Sequence, residues 1–243
     1  MGKQKYDFIC SLGGNCAAAH NLDCRELRLF SLPFDWTYIT SDQPLYQLPE
    51  GLKNGFKNFF KKENLRPLSK EEYNTAHADR AQYKDIHSGF YYVNHFRKDI
   101  PFDVEYESVK QKMDRRFARF MDKITQANSI LFVLSACFEV KTEVLIFLLN
   151  ELKGLYPHKH IQIVALLFKS PTGEHISLPG LEIFHITREM HTYDFTKTNW
   201  EWAFLDDVEL SSYPHPGLLK RCLIKLIPCR KLRHKLKKKY YIR

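Results

Sequence analysis

Apolar runs that alternate with helix-like segments are the feature of this 243-residue sequence that most constrains its fold. In the segment 105–127, for example, Val109, Met113 and Phe117 recur at helical spacing on one face. Two of the strand-like runs are apolar almost throughout, which is typical of strands covered on both faces. In all, five strand-like runs occur, at residues 6–12, 90–96, 129–136, 161–168 and 181–187. This alternation predicts an α/β fold with a mostly parallel sheet and helices on both faces, in three layers.

The first apolar run leads into a sharp turn that ends at a cysteine. Gly13 and Gly14 tolerate the backbone angles of such a turn, and the three alanines after Cys16 favour a helix. Cys16 is therefore predicted at a strand–turn–helix junction, where free N–H groups and the positive helix end favour a thiolate. We interpret Cys16 as a nucleophile, with Gly14 and Asn15 helping to form an oxyanion hole. The alternative is a small buried cysteine at a tight turn.

The residues around this turn carry a family resemblance. SLGGNC, a Leu-Arg pair and PFDW follow in order within residues 8–36, and this order resembles the N-terminal signature of the bacterial papain-like cysteine peptidase family. Asn94-His95-Phe96 and Arg115-Arg116 match that family more loosely. The turn is also similar to those of GNC-turn polysaccharide-biosynthesis enzymes and SGNH-type hydrolases. The resemblance implies a cysteine-dependent enzyme with His95 as its base, whereas the periodicity favours an SGNH/flavodoxin-like sheet over the two halves of papain.

Two histidines compete for the role of the base. Sites in open parallel sheets form at the carboxyl ends of strands, where His95 closes the run 90–96 and His191 follows the run 181–187. A base needs an orienting partner, and Asp194 could orient either imidazole. The remaining alternative is that neither histidine is the base.

Further polar residues are candidates for substrate binding. Asp35 could cap a helix or accept a hydrogen bond from the Cys16 loop. Arg115 and Arg116 are suited to binding phosphate or carboxylate groups, although a solvated basic face explains them equally well. The histidines lack metal-ligand spacing, and no P-loop or GxGxxG motif occurs. We therefore predict no metal and no bound cofactor, with an acyl donor such as coenzyme A as a candidate co-substrate.

Positive charge is concentrated at the C-terminus. Residues 218–243 hold 11 Lys and Arg and no acid, whereas residues 1–217 hold 26 basic and 28 acidic residues, a net charge of −2. A nearly neutral body argues against a nucleic-acid partner. Leu and Ile between the basic residues predict a tail that binds anionic membrane surfaces, with a disordered tail or a nucleic-acid arm as the alternative. We expect one catalytic domain over 1–217, in which 37–88 is an irregular cap or a structural insertion.

The chain shows no CxxC pair, no signal peptide and no run of 18 apolar residues. These features predict a cytoplasmic protein, peripheral at the inner membrane face. The leading interpretation is a thiol hydrolase or acyltransferase that acts through an acyl-enzyme on glycan or acyl small molecules, in surface-polysaccharide assembly. A cysteine peptidase and a non-catalytic, membrane-recruited binding protein are the alternatives, and the oligomeric state stays open.

Overall fold

The computed structural model describes residues 3–72, 77–187 and 200–211. The strands are β1 (Gln4–Tyr6), β2 (Phe8–Ser11), β3 (Leu65–Pro67), β4 (Arg80–Asp85), β5 (Tyr91–Arg97), β6 (Ser129–Ala136), β7 (His160–Phe168), β8 (His175–Leu178), β9 (Leu181–Ile186) and β10 (Val208–Leu210). The α-helices are α1 (Cys16–Cys24), α2 (Gln43–Asn54), α3 (Phe102–Gln126) and α4 (Thr142–Leu155). Short 3-10 helices span Lys62–Asn64 and Trp200–Asp207.

The central sheet contains five strands in the order β2-β6-β7-β9-β8, within the described ranges. Four of them, β2, β6, β7 and β9, run parallel, and β8 pairs antiparallel with β9 at the edge. The inner strands β6 and β7 are buried over most of their length, as expected where both faces of a sheet are covered. The prediction of an α/β fold with a mostly parallel sheet is confirmed.

Alternate side chains of β6 enter two separate apolar clusters. Phe132 belongs to a cluster that also contains residues of α2, α3 and α4. Val133 belongs to a second cluster, with α1 and the 3-10 helix Trp200–Asp207. Because successive side chains of a strand point to opposite faces, helical elements pack on both faces of this strand.

The run 90–96 forms β5 outside the central sheet, so the prediction that it is one of the parallel strands was wrong. Strands β3, β4 and β5 make a separate antiparallel sheet. The run is apolar because Tyr92 and Phe96 pack against Phe60 in an aromatic cluster. An apolar run of this length does not reveal the direction of its partners.

Residues 37–88, which the sequence predicted as an irregular cap or a structural insertion, include regular elements, and their role as a cap stays a prediction. They contain α2, β3 and β4. Helix α2 ends at Gly55, which has the left-handed φ of 65° that is typical of a helix C-cap. Phe56 and Phe59, just beyond it, pack against Phe117 of α3. Phe56 and Phe59 are therefore part of the core.

Several predicted features fall outside the described residues. They are His191, Asp194 and the basic tail over 218–243. Among the helices that the structure describes, none is both long enough and apolar enough to cross a bilayer.

Candidate functional site

Cys16 is the first residue of α1, directly after the turn that follows β2. The turn is tight: Gly14 has a φ of +94°, and a Cβ on it would lie 1.8 Å from the carbonyl oxygen of Ser135. Asn15 caps the helix, because its Oδ1 accepts a hydrogen bond from the Ala17 N–H at 2.9 Å. The predicted strand–turn–helix junction around Cys16 is confirmed.

Two backbone N–H groups at this turn have no hydrogen-bond acceptor among the described residues. They belong to Gly14 and Asn15. The Cys16 N–H is directed at the sulfur of its own side chain. Free N–H groups at a turn before a helix can donate hydrogen bonds to an anionic oxygen. The turn therefore supplies candidate donors for an oxyanion near Cys16.

The side chain of Asn15 joins the Cys16 turn to the end of β6 through hydrogen bonds. Its Nδ2 donates to the carbonyl oxygen of Ser135 at 3.0 Å and to the Sγ of Cys137 at 3.7 Å. Its amide hydrogens therefore have partners already, so the geometry favours a positioning role over the predicted donation to substrate. Cys137 was missed at the sequence level. It follows β6 as Cys16 follows β2, and parallel strands end at one edge of the sheet.

The Cys16 thiol is half-buried. Burial raises the pKa of this thiol, and its own backbone N–H lowers it to a smaller extent. Burial therefore outweighs this N–H contact, and the resting side chain is a thiol rather than the thiolate that the sequence predicted. Such a nucleophile needs a base that takes its proton.

No hydrogen bond joins the Cys16 Sγ to an imidazole in the part of the chain that the structure describes. A cysteine–histidine contact lies instead at the other end of α1, where Cys24 Sγ and His20 Nε2 are 3.2 Å apart. The predicted bases His191 and Asp194 lie outside the described residues, so their roles stay predictions.

His95 lies on β5, four residues beyond Tyr91. Tyr91 is the residue of β5 that pairs with Tyr38, next to the Cys16 turn. Four residues of strand extend about 13 Å, so His95 lies well apart from Tyr91 along β5. Its pairing with Cys16 stays a prediction, and no contact of the described residues supports it.

His95 instead lines a cavity of about 360 Å³. Both of its ring nitrogens are shielded from solvent and have no hydrogen-bond partner in the part of the chain that the structure describes. Burial, together with the nearby charges of Arg116 and Lys112, lowers the pKa of His95 to about 3. The imidazole is therefore neutral at physiological pH.

The remaining predicted binding residues lie near this cavity or on the surface. Asp35 is buried and accepts hydrogen bonds at one oxygen from Arg28 Nη1 at 2.9 Å and from the Leu32 N–H at 2.8 Å. Burial raises the pKa of Asp35, and Arg28 opposes this effect. The carboxylate of Asp35 thus stabilises the loop that contains Leu32, and it caps no helix among the described residues.

Of the two predicted arginines, Arg116 lines the cavity, whereas Arg115 is exposed and does not line it.

The site does not resemble a metal centre in the described ranges, where no three His, Cys, Asp or Glu side chains come together. The fold and the turn define an α/β protein with a cysteine at the position of a nucleophile.

A family model described as "Putative papain-like cysteine peptidase (DUF1796)" matches residues 7–164. The match covers more than half of the chain, and the protein belongs to this family, which indicates a thiol-dependent hydrolase. No curated protein and no solved structure matches the chain.

Proposed function

We propose that the protein is a thiol-dependent hydrolase or acyltransferase in which Cys16 is the nucleophile. The observation that carries this proposal is the position of Cys16 as the first residue of α1, directly after a turn whose Gly14 and Asn15 N–H groups lack acceptors among the described residues. A carbonyl oxygen that becomes an oxyanion during attack can accept hydrogen bonds there. The cysteine after β2 of a parallel sheet also supports an SGNH/flavodoxin-like, three-layer organisation.

The proposed reaction has two steps. The Cys16 sulfur attacks the carbonyl carbon of an ester, thioester or amide, so that a C–S bond forms and the bond to the leaving group breaks. The thiol proton passes to the base and from there to the leaving group. Water, or the hydroxyl of an acceptor, then attacks the thioester and restores the thiol. Because burial raises the pKa of Cys16, the attack requires a base that takes the thiol proton.

For the base we favour His191, with Asp194 as its orienting partner. Strand β9 ends at Ile186 on the same edge of the sheet as Cys16, since β2, β6, β7 and β9 are parallel. The chain that continues from this edge contains both residues. His95, by contrast, lies on the antiparallel sheet.

The proposed substrates are acyl or glycan small molecules, handled at the cytoplasmic face of a membrane during surface-polysaccharide assembly, with an acyl donor such as coenzyme A. The charge and apolar pattern of residues 218–243 supports the membrane setting. A cysteine peptidase is the second candidate, because the family description favours it. In either case Cys16 is the attacking group.

Steady-state turnover of 4-nitrophenyl acetate and of fluorogenic peptide amides tests the proposal. We expect Cys16→Ser to lower ester turnover by roughly a thousandfold. Cys24→Ser is the matched control, because Cys24 lies on the same helix and should leave turnover unchanged. Peptide cleavage that depends on Cys16 would select the peptidase. Equal turnover by the Cys16→Ser variant and the wild type would refute the nucleophile and leave the binding-protein alternative.

A further inference from the structure

The cavity beside His95 is lined by several cationic side chains. Arg80 reaches it from β4, and Lys112 and Arg116 reach it from successive turns of α3. None of the described lining residues is acidic. The nearby carboxylate of Asp35 is already bonded to Arg28, and Arg80 has a salt bridge with Asp79 at 3.2 Å. The walls of the cavity therefore carry net positive charge.

Arg116 is the central cation of this group. It is half-buried, and the contact that its Nη1 makes is with the Sδ of Met113 at 3.8 Å. Among the described residues, no carboxylate lies within salt-bridge distance of its guanidinium. A desolvated guanidinium usually has a carboxylate or phosphate partner, because its donors match two oxygens at once.

His95 forms a further part of the wall of the cavity. Its two ring nitrogens are shielded from solvent and have no hydrogen-bond partner among the described residues. Because solvent does not reach these nitrogens, the ring contacts the cavity through its other atoms. The pKa of His95 is lowered to about 3, so the neutral imidazole adds no charge. Arg116 is therefore the half-buried side chain that offers donors to this space.

From this juxtaposition we propose that the cavity binds a phosphate monoester of a small polar molecule. Two cationic side chains, those of Lys112 and Arg116, match the double negative charge of a phosphate monoester better than the single charge of a carboxylate. The volume of about 360 Å³ accommodates more than the phosphate alone. The half-buried indole of Trp36 forms another part of the lining and offers an apolar face to a group such as a sugar ring. This inference goes beyond the proposed function, because it does not involve Cys16.

Isothermal titration of the full-length chain at constant ionic strength tests the inference, with glucose 6-phosphate, inorganic phosphate and glucose as probes. We expect one saturable site for glucose 6-phosphate and no binding of glucose. Arg116→Gln should weaken the affinity about tenfold or more, since a charge-assisted hydrogen bond is lost. Arg115→Gln is the matched control, because this neighbour on α3 lies outside the cavity, and its affinity should stay within about twofold of the wild type.

A second variant, Lys112→Gln, tests the inference even if Arg116→Gln does not fold. Lys112 is exposed at the cavity, so Lys112→Gln should fold normally and should also weaken binding. The absence of saturable binding by either phosphate probe would overturn the inference, as would equal losses in Arg115→Gln and Arg116→Gln. If inorganic phosphate binds as tightly as glucose 6-phosphate, the monoester part of the inference is wrong. Cys16→Ser should bind like the wild type, so failure of this inference and failure of the proposed nucleophile are distinguishable.

Discussion

The Cys16 thiol is subject to two opposing influences at the residue scale. The first turn of α1 and the N–H of Cys16 itself favour a thiolate, whereas burial disfavours the charged form. Burial is the larger effect, and it raises the pKa of the thiol. The account therefore requires that the proton leaves Cys16 during the reaction, and that the resting enzyme holds a thiol.

The pH dependence of alkylation tests this balance. At a given pH a raised pKa leaves less thiolate, so Cys16 should react slowly with iodoacetamide at neutral pH, and its rate should rise only above the ordinary thiol pKa. The rate at Cys16 can be followed by peptide mapping from about pH 5 to about pH 10. The same peptide in urea-unfolded protein is the control, and its curve should lie at lower pH. A rate that is already maximal near about pH 6 would contradict this assignment.

The sequence predicted where Cys16 lies but not the state of its thiol. The double glycine and the alanines are local signals for a turn followed by a helix. Burial of the thiol depends on residues far along the chain. Ser135 and Cys137, which hold Asn15, are about 120 residues away. Similarly, the resemblance of Asn94-His95-Phe96 to a family motif did not reveal that His95 faces a cationic cavity.

At the scale of elements, the turn after β2 fits closely against the end of β6. The carbonyl oxygen of Ser135 lies where a Cβ of Gly14 would be, so only glycine can occupy this position without movement of β6. The carbonyl oxygen of Phe34 lies near Gly13 of the same turn. Trp36, two residues later, lines the cationic cavity. The PFDW segment thus contacts the turn at one end and the cavity at the other.

Substitution of Gly14 tests this fit. Gly14→Ala should lower the free energy of unfolding by about 3 kcal/mol or more, because the new Cβ would meet backbone at 1.8 Å and the φ of +94° strains an L-residue. Urea unfolding monitored by circular dichroism measures the change. Gly154→Ala is the control: Gly154 lies within α4 with open space around it, so alanine should stabilise the protein by up to about 1 kcal/mol. Wild-type stability of Gly14→Ala would show that the turn can move.

The elements that were predicted correctly have strong local periodicity. The helix expected over 105–127 is α3, and the runs at 129–136 and 161–168 are β6 and β7. Prediction failed where local signals were weak or ambiguous. Helix α2 contains Pro49, which disguises its helical pattern, and the short strand β4 buries the polar residues Gln82 and Asp85. The direction of β5 depends on its partner strand, which its own residues do not encode.

At the scale of the whole molecule, charge is distributed unevenly along the chain. The body over 1–217 has a net charge of −2, and the basic residues of 218–243 follow it. Within the nearly neutral body, cationic side chains gather around one cavity. Positive charge therefore has two proposed roles: the cavity binds a small anion, and the tail binds an anionic surface.

Co-sedimentation of the full-length chain with vesicles tests the role of the tail. We expect binding to phosphatidylserine vesicles that weakens with added salt, and much weaker binding to phosphatidylcholine vesicles. Replacing Lys237, Lys238 and Lys239 with Gln should lower the affinity by about 3 kcal/mol, roughly a hundredfold, at about 1 kcal/mol for each basic residue. Replacing Lys57, Lys61 and Lys62 of the body with Gln is the control and should change little. Similar losses in both variants would refute a membrane-binding tail.

Detection of an acyl group on Cys16 tests the central claim most directly. Full-length protein is mixed with 4-nitrophenyl acetate, quenched with acid during turnover and mapped by mass spectrometry. The account predicts one acetyl group per chain at most, located on Cys16 as a thioester, and none on the Cys16→Ser variant. Turnover that depends on the protein with no acetyl group on Cys16, or with the acetyl group on another residue, would contradict the account.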